Sequence, residues 1–260
     1  WGIGPQGFRF AARRHDSDKK TILGQTGRFD ADDFVGIILQ QPACAAFMIR
    51  KLWQYFAGAE PTPEVLGDLA AGFRASDYDI RLAVRDILRH PSFYSDEVRG
   101  TQIKSPLQLV VGTARTLQVQ VNTPKIYQRM LALMGQTPYQ PPNVKGWPGG
   151  RAWIDTTRLV TRYTFAQMVA DGKIPGDVDP QMRRRQRGVQ FDPHPLVNDL
   201  VAPEEIVAEL TNQLLAVPPT NSEHSRLTKA LREDLTHLAM PAAVQQAVGN
   251  LMRLPQYQLC

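Results

Sequence analysis

The chain has 260 residues, a net charge of +5 and an apolar fraction of 43%. This length fits one large domain or two modest ones at roughly 100–200 residues per domain, with enough apolar content for a sizeable core. No apolar run approaches the ~18–20 residues that cross a bilayer, so we expect no transmembrane segment. The basic excess is partly local, with four arginines in residues 182–187. Because acids lie among the bases elsewhere, we interpret this run as a solvated loop and expect no nucleic-acid partner.

Residues 1–29 are predicted to be irregular. They begin at Trp1 rather than Met and open in the middle of a pattern, so we expect a truncated or processed product. A missing N-terminal half of the same protein would then be a partner of this segment. Residues 21–29 form a short apolar piece broken by glycines, which favours one short hairpin. No signal peptide is visible, and an incomplete N terminus would hide one.

Helix signals dominate residues 30–172, which we predict to be the main helical domain. Asp30 is a suitable N-cap, and Pro42 suits the first position of the following helix. A later helix is expected to be capped near Asp77 and to stop at Pro91. Its apolar residues are expected to face inward, namely Ile80, Val84, Ile87 and Leu88.

The remainder of the chain divides into a linker and a second helical part. Residues 173–202 are rich in Pro, Gly and charge, which indicates a long loop or linker. Helices resume over residues 203–260, and we expect them to pack on the main domain. About ten helices and almost no strands predict an all-α fold, an irregular multi-helix bundle with long loops.

No strong catalytic signature is present. The sequence has no phosphate-binding glycine loop, no HExxH and no nucleophile elbow, and its five histidines are far apart. Cys44 and Cys260 do not indicate a zinc site, and their pairing stays open. The acids at 30–33 lack the glycine and distal glutamate of an EF-hand, so helix capping explains them better. We therefore predict no metal site, name no cofactor and leave enzyme activity open.

His15 and Asp16 lie in the most polar cluster before the helices, "RRHDSDKKT". One interpretation is an imidazole positioned with Asp16 or Asp18, in reach of a metal ion. The other is an exposed polar turn, since adjacent side chains rarely face each other. We favour the turn and keep both residues as candidates for ligand or partner binding.

The loop "QPPNVKGWPGGRAWIDTTRL" is the best candidate for a site. Its prolines forbid helix and its glycines permit unusual backbone conformations. Trp147 and Trp153 supply flat faces, and Lys145 and Arg151 can hold an anion or a carboxylate. In the alternative, the tryptophans pack inward and the loop is a structural plug over the bundle. We favour the plug, and a binding role for these four residues remains the second hypothesis.

Several motifs together resemble the bacterial family named domain of unknown function 1800. They are "KTILGQTGRFDADDFVGIILQQPACAAFMIRKLWQYF", "KSPLQLVVGTAR", "PPNVKGWPGGRAWI" and the terminal "LPQYQLC". The resemblance runs from about Phe8 to Cys260 and is weakest over residues 173–202. It implies a bacterial exported protein, periplasmic, secreted or at the cell surface. It also implies a candidate partner, a protein of the domain of unknown function 1501 family, which resembles sulfatases. It transfers no activity and no catalytic residues.

We therefore expect a non-enzymatic binding, accessory or assembly subunit that acts through protein–protein interaction with the sulfatase-like protein. One alternative is a hydrolase or metal-assisted enzyme acting on an exported polymer. It requires groups from the segment "RRHDSDKK", which contains His15, and from the loop around Lys145 and Trp147 to converge. Direct acid–base chemistry needs such groups within hydrogen-bond reach or one water apart. A second alternative is a structural subunit of a cell-surface assembly.

Overall fold

The computed structural model describes residues 2–5, 7–119, 124–173 and 191–260. The predicted arginine-rich loop, residues 182–187, lies outside the described residues. Internal contacts divide the chain into two compact units. The first comprises Trp1–Phe56 and Glu60–Phe93, and the second comprises Ala57–Ala59 and Tyr94–Cys260. The segment 30–172 therefore contributes to both units.

Two small antiparallel hairpins open the first unit. The first pairs β1 (Gly2–Gly4) with β2 (Gly7–Arg9). The second pairs β3 (Lys20–Ile22) with β4 (Gln25–Gly27), with Lys20 opposite Gly27. A hairpin was expected in this region, and the structure has two. Four helices follow: α1 (Ala31–Gln40), α2 (Pro42–Ala57), α3 (Pro63–Ala75) and α4 (Ile80–Arg89).

Local side-chain caps explain where these helices begin. The Asp30 carboxylate accepts the backbone N–H groups of Asp32 and Asp33, and the Asp33 carboxylate accepts the N–H of Asp30. This reciprocal capping box satisfies backbone donors that an N terminus otherwise leaves unpaired. Thr62, directly before Pro63, caps α3 with one such bond: its hydroxyl accepts the N–H of Val65. The acids near Asp30 thus serve helix α1, as the sequence indicated.

The start and orientation of α4 differ from the prediction. Asp79, and not Asp77, caps the helix, because Asp77 and Tyr78 adopt positive φ angles of 53° and 61° in the preceding turn. Ile80 and Leu88 are exposed rather than inward. The buried face contains Ile87, as predicted, together with the smaller Ala83, which was not predicted.

Seven helices of the second unit surround one apolar core. They are α5 (Pro106–Thr116), α6 (Pro124–Leu133), α7 (Thr156–Asp171), α8 (His194–Val197), α9 (Pro203–Leu214), α10 (Asn221–Asp234) and α11 (Met240–Met252). A 3₁₀ turn, Pro255–Gln258, follows them. The predicted all-α class is confirmed. In the described part of the chain, no helix is long and apolar enough to cross a membrane.

Helices α7 and α11 approach each other closely at Gly249. A Cβ atom at Gly249 of α11 would contact the Cβ of Ala170 in α7 and lie 3.0 Å from its Cα. Both positions are buried. The missing side chain therefore lets the two helices pack backbone against side chain.

Candidate functional site

A cleft of about 600 Å³ opens on the surface of the first unit. We call it the N-terminal cleft. It is lined by the turn after β2, strand β3 and the start of α1: Phe10, Ala11, Arg14, His15, Asp16, Lys20, Ile22, Phe29, Asp30, Ala31 and Phe34. The sequence indicated two of these residues, His15 and Asp16. It missed the aromatic ones, because they come from separate segments with no shared spacing.

Short local structures bring the aromatic groups of the cleft together. The rings of Phe10 and His15 lie 5.4 Å apart, centroid to centroid, on either side of the 3₁₀ turn Ala12–Arg14. A Cβ atom at Gly27 would approach the ring of Phe29 to 2.7 Å. The glycine at the end of β4 therefore lets this ring fold back over the strand. Phe34 reaches the cleft from the first turn of α1.

Most charged groups of the cleft already have partners. The Asp16 carboxylate accepts the N–H of Asp18 at 2.9 Å and lies 4.0 Å from the Lys20 ammonium. Lys20 also donates to the backbone oxygens of Asp16 and Asp18. The guanidinium of Arg14, by contrast, makes no hydrogen bond or ion pair within the part of the chain that the structure describes.

Asp30 lines the cleft beside His15 and has a lowered pKa. The backbone N–H of Asp33 is the main cause of a lowered Asp30 pKa, and the N–H of Asp32 and the charge of His15 add to it. Desolvation acts in the opposite direction. The capping N–H groups thus favour the ionised form of this carboxylate.

The proline–glycine loop belongs to the second unit. Trp153 is buried with 6% of its surface exposed, and Trp147 is half-buried. Lys145 and Arg151 are exposed. Trp153 therefore packs inward, as the plug hypothesis requires, while the two cations face solvent. His15 and Asp16 lie in the first unit, so the six candidate residues fall into two groups.

Both ends of this loop are anchored. At its start, the buried side chain of Gln136 accepts the N–H of Leu107 at 2.8 Å. At its end, Arg158 donates to the carbonyl of Ala152 and pairs with Asp155, which caps α7. These contacts, together with the burial of Trp153, fix the loop on the second unit.

Between the anchors, two apolar side chains are almost completely exposed. Tyr139 is 99% exposed, and the side chain of Val144 is fully exposed. The Asn143 carboxamide accepts the N–H of Lys145 at 2.8 Å, which orders the turn beside Val144. We call Tyr139, Val144, Lys145 and Arg151 the loop tip.

A buried cationic cluster was not predicted from the sequence. Arg162 of α7 is only 1% exposed. Its guanidinium donates to the Gln258 side chain at 3.0 Å and to the carbonyl of Lys104 at 2.7 Å, and its Nε has no partner among the described residues. Burial lowers the pKa of Arg162 to about 10. Among the described residues, the hydrogen-bond acceptors of this charge are neutral oxygens.

Lys104 joins the same cluster from the segment before α5. Its ammonium donates to the carbonyl of Tyr257 at 2.9 Å and lies 4.2 Å from the centre of that ring. Its backbone N–H donates to the carbonyl of Gln258 at 2.8 Å. Burial is the main cause of its lowered pKa. Three distant segments, "KSP", α7 and "LPQYQLC", therefore meet at this cluster.

Tyr257 makes the stability of the second unit depend on pH. Its hydroxyl bonds that of Thr113 at 2.7 Å, and burial raises its pKa from 10.0 to about 12. Because the folded state keeps this proton longer than the unfolded state, its contribution is complete below pH 10 and is lost as pH rises. We expect the stability gap between wild type and Tyr257→Phe to shrink by about 1 kcal/mol from pH 8 to pH 11.

Urea denaturation of both proteins at the two pH values measures this gap. The remaining tyrosines and lysines titrate in both proteins, so their contributions cancel in the difference. A gap that stays constant from pH 8 to pH 11 would contradict the raised pKa of Tyr257.

The described residues contain no group of three or more His, Cys, Asp or Glu side chains arranged to hold a metal ion. Cys44 is half-buried and Cys260 is exposed, and both are free thiols. Burial raises the pKa of the Cys260 thiol, while the charge of Lys104 acts in the opposite direction.

Comparison with known proteins identifies a family. No curated protein and no solved structure gives a significant match to the chain. A family model described as "Protein of unknown function (DUF1800)" matches residues 1–259. This match covers essentially the whole chain, including the segments that carry the N-terminal cleft, the loop tip and the cationic cluster. The chain therefore belongs to the DUF1800 family.

Proposed function

We propose that this protein is a non-enzymatic binding or accessory subunit that contacts a partner protein through the loop tip. The observation that carries the proposal is the exposure of Tyr139 and Val144 on a loop that is anchored at both ends. Binding residues are commonly placed on loops that a rigid scaffold positions. A partner can bury these side chains without first ordering the loop, which lowers the entropic cost of association.

The charge of the loop tip indicates the chemistry of the partner. Lys145 and Arg151 are exposed in the same connection between α6 and α7 as the two apolar side chains. An acidic rim around an apolar patch is the complementary surface, because opposite charges steer encounter and fix orientation. We propose that the partner is the sulfatase-like protein of the domain of unknown function 1501 family. This choice rests on the family resemblance.

The same resemblance supports a location outside the cytoplasm, in the periplasm, at the cell surface or secreted. Two alternatives follow from the sequence. A hydrolase or metal-assisted enzyme would require groups from the segment around His15 and from the loop around Lys145 to converge. A structural subunit of a surface assembly would instead form ordered filaments or arrays on an electron-microscopy grid.

Affinity purification from the native periplasm and membranes tests the proposed partner. We expect the wild-type protein to recover the sulfatase-like protein, and a Tyr139→Ala/Lys145→Glu variant to recover at least about tenfold less. The matched control is Val160→Ala/Lys125→Glu, which makes a similar change at exposed helical positions of the same unit. The control is expected to stay within about twofold of wild type.

Three outcomes would contradict the proposal. They are recovery of the protein alone, equal losses in the two double variants, and hydrolysis of an exported polymer that the loop-tip variant abolishes. Thermal unfolding of each variant, followed by circular dichroism, separates loss of binding from loss of folding.

A further inference from the structure

We propose that the N-terminal cleft binds a carboxylate group that is attached to an aromatic or branched apolar group. This ligand class is independent of the loop tip, because the cleft lies wholly in the first unit. Its volume of about 600 Å³ falls within the roughly 300–1,000 Å³ that is usual for small-molecule sites. A phenyl group with a short acidic chain fits this size.

The apolar part of the ligand would contact phenylalanine rings. Phe10 is 44% exposed and Phe34 is 45% exposed at the cleft, and Phe29 adds a half-buried ring. Aromatic rings prefer edge-to-face or offset contacts with a further ring. A ligand ring bound at these phenylalanine rings removes apolar surface of the ligand and of the protein from water. This burial is the main favourable contribution to binding of an apolar group.

The carboxylate of the ligand would pair with Arg14. The cleft carboxylates and the Lys20 ammonium are engaged within the protein, by helix capping or by the contacts among residues 16, 18 and 20. Arg14 lines the same cleft and has no partner within the described residues. A guanidinium presents parallel N–H donors that match the two oxygens of a carboxylate. The free cation beside exposed rings therefore selects an acid with an apolar neighbour.

Titration of the full chain with N-acetylphenylalanine, followed by NMR or calorimetry, tests this assignment. We expect a dissociation constant in the millimolar range, about what a ligand of this size gives. N-acetylphenylalanine amide, which lacks the carboxylate, should bind about tenfold more weakly. Arg14→Gln should weaken binding of the acid about tenfold and leave binding of the amide unchanged within twofold.

Matched neighbours serve as controls. Arg13 is exposed in the same 3₁₀ turn and does not line the cleft, so Arg13→Gln should bind the acid as wild type does. Likewise, Phe34→Ala should weaken both ligands several-fold, whereas Val35→Ala, at an exposed position outside the cleft, should not. Unchanged melting temperatures would show that each variant is folded.

The assignment is overturned if the acid and the amide bind equally to the wild-type protein. It is also overturned if neither ligand binds at 10 mM, which is about ten times the expected dissociation constant. Equal losses of affinity in Arg13→Gln and Arg14→Gln would overturn it as well. Two sources of the ligand chemistry remain distinguishable. Tighter binding of a peptide that ends in phenylalanine points to a chain end, and equal binding of 3-phenylpropanoate points to a free acid. Either result supports the site. These binding measurements do not depend on the partner proposed for the loop tip.

Discussion

Replacing Arg162 with alanine is expected to lower the free energy of unfolding by about 3–5 kcal/mol. The guanidinium fills a site in the second unit that is 1% exposed. Its loss leaves the carbonyl of Lys104 and the side-chain oxygen of Gln258 without their donor and opens a cavity. Both effects destabilise the folded state, since buried acceptors without partners are costly and a cavity forfeits packing.

The matched control for Arg162→Ala is Arg115→Ala. Arg115 lies in the last turn of α5 and is exposed, so its loss is expected to change stability by no more than about 0.5 kcal/mol. Urea denaturation followed by circular dichroism measures both variants. Equal small effects would show that the buried guanidinium does not connect the three segments as inferred.

Gly249→Ala is expected to destabilise the protein by about 2 kcal/mol. The added methyl group would overlap the Cβ of Ala170 and lie 3.0 Å from its Cα. Because the obstacle includes backbone, no flexible side chain can move aside, and α7 and α11 must separate. The lost packing outweighs the gain of up to ~1 kcal/mol that alanine brings to a helix interior.

A second helical glycine provides the opposite result. A Cβ atom at Gly112 of α5 would have no neighbour within 4 Å. Gly112→Ala is therefore expected to stabilise the protein by about 0.5–1 kcal/mol, through helix propensity and a more restricted unfolded state. Melting temperatures of the two variants should move in opposite directions. Movement in the same direction would contradict the close approach at Gly249.

The starts of several helices follow from the sequence alone. Asp30, Thr62 and Ser105 each cap a helix whose first residues include their hydrogen-bond partners. These interactions span two or three residues, so a local pattern contains all the information that they need. The all-α class follows from the same signals, since each helix is predicted from residues that are close together in the sequence.

The orientation of helices is less local, as α4 shows. Its apolar pattern correctly predicted a buried Ile87 but also placed Ile80 and Leu88 inward, although both are exposed. The neighbouring helix determines which part of an apolar stripe is buried. The ten residues of α4 do not indicate where that neighbour packs.

The sequence predicted the candidate sites only in part. The polar character of His15 and the rigidity of the loop around Trp147 were visible in the residues themselves. The phenylalanine rings of the N-terminal cleft and the free guanidinium of Arg14 were not, because hairpin and helix geometry bring them together. Likewise, the burial of Trp153 depends on neighbours that the fold supplies and that its place in the chain does not indicate.

The sequence by itself determined the all-α class, several helix caps and the family, because these depend on short-range patterns and on motifs read along the chain. Only the tertiary structure decided that Arg162 meets Lys104 across 58 residues and Gln258 across 96 residues. A buried guanidinium can donate hydrogen bonds to acceptors in any segment that the fold brings within reach. Sequence spacing therefore does not encode such a contact, whereas the packing of α7 within the second unit does.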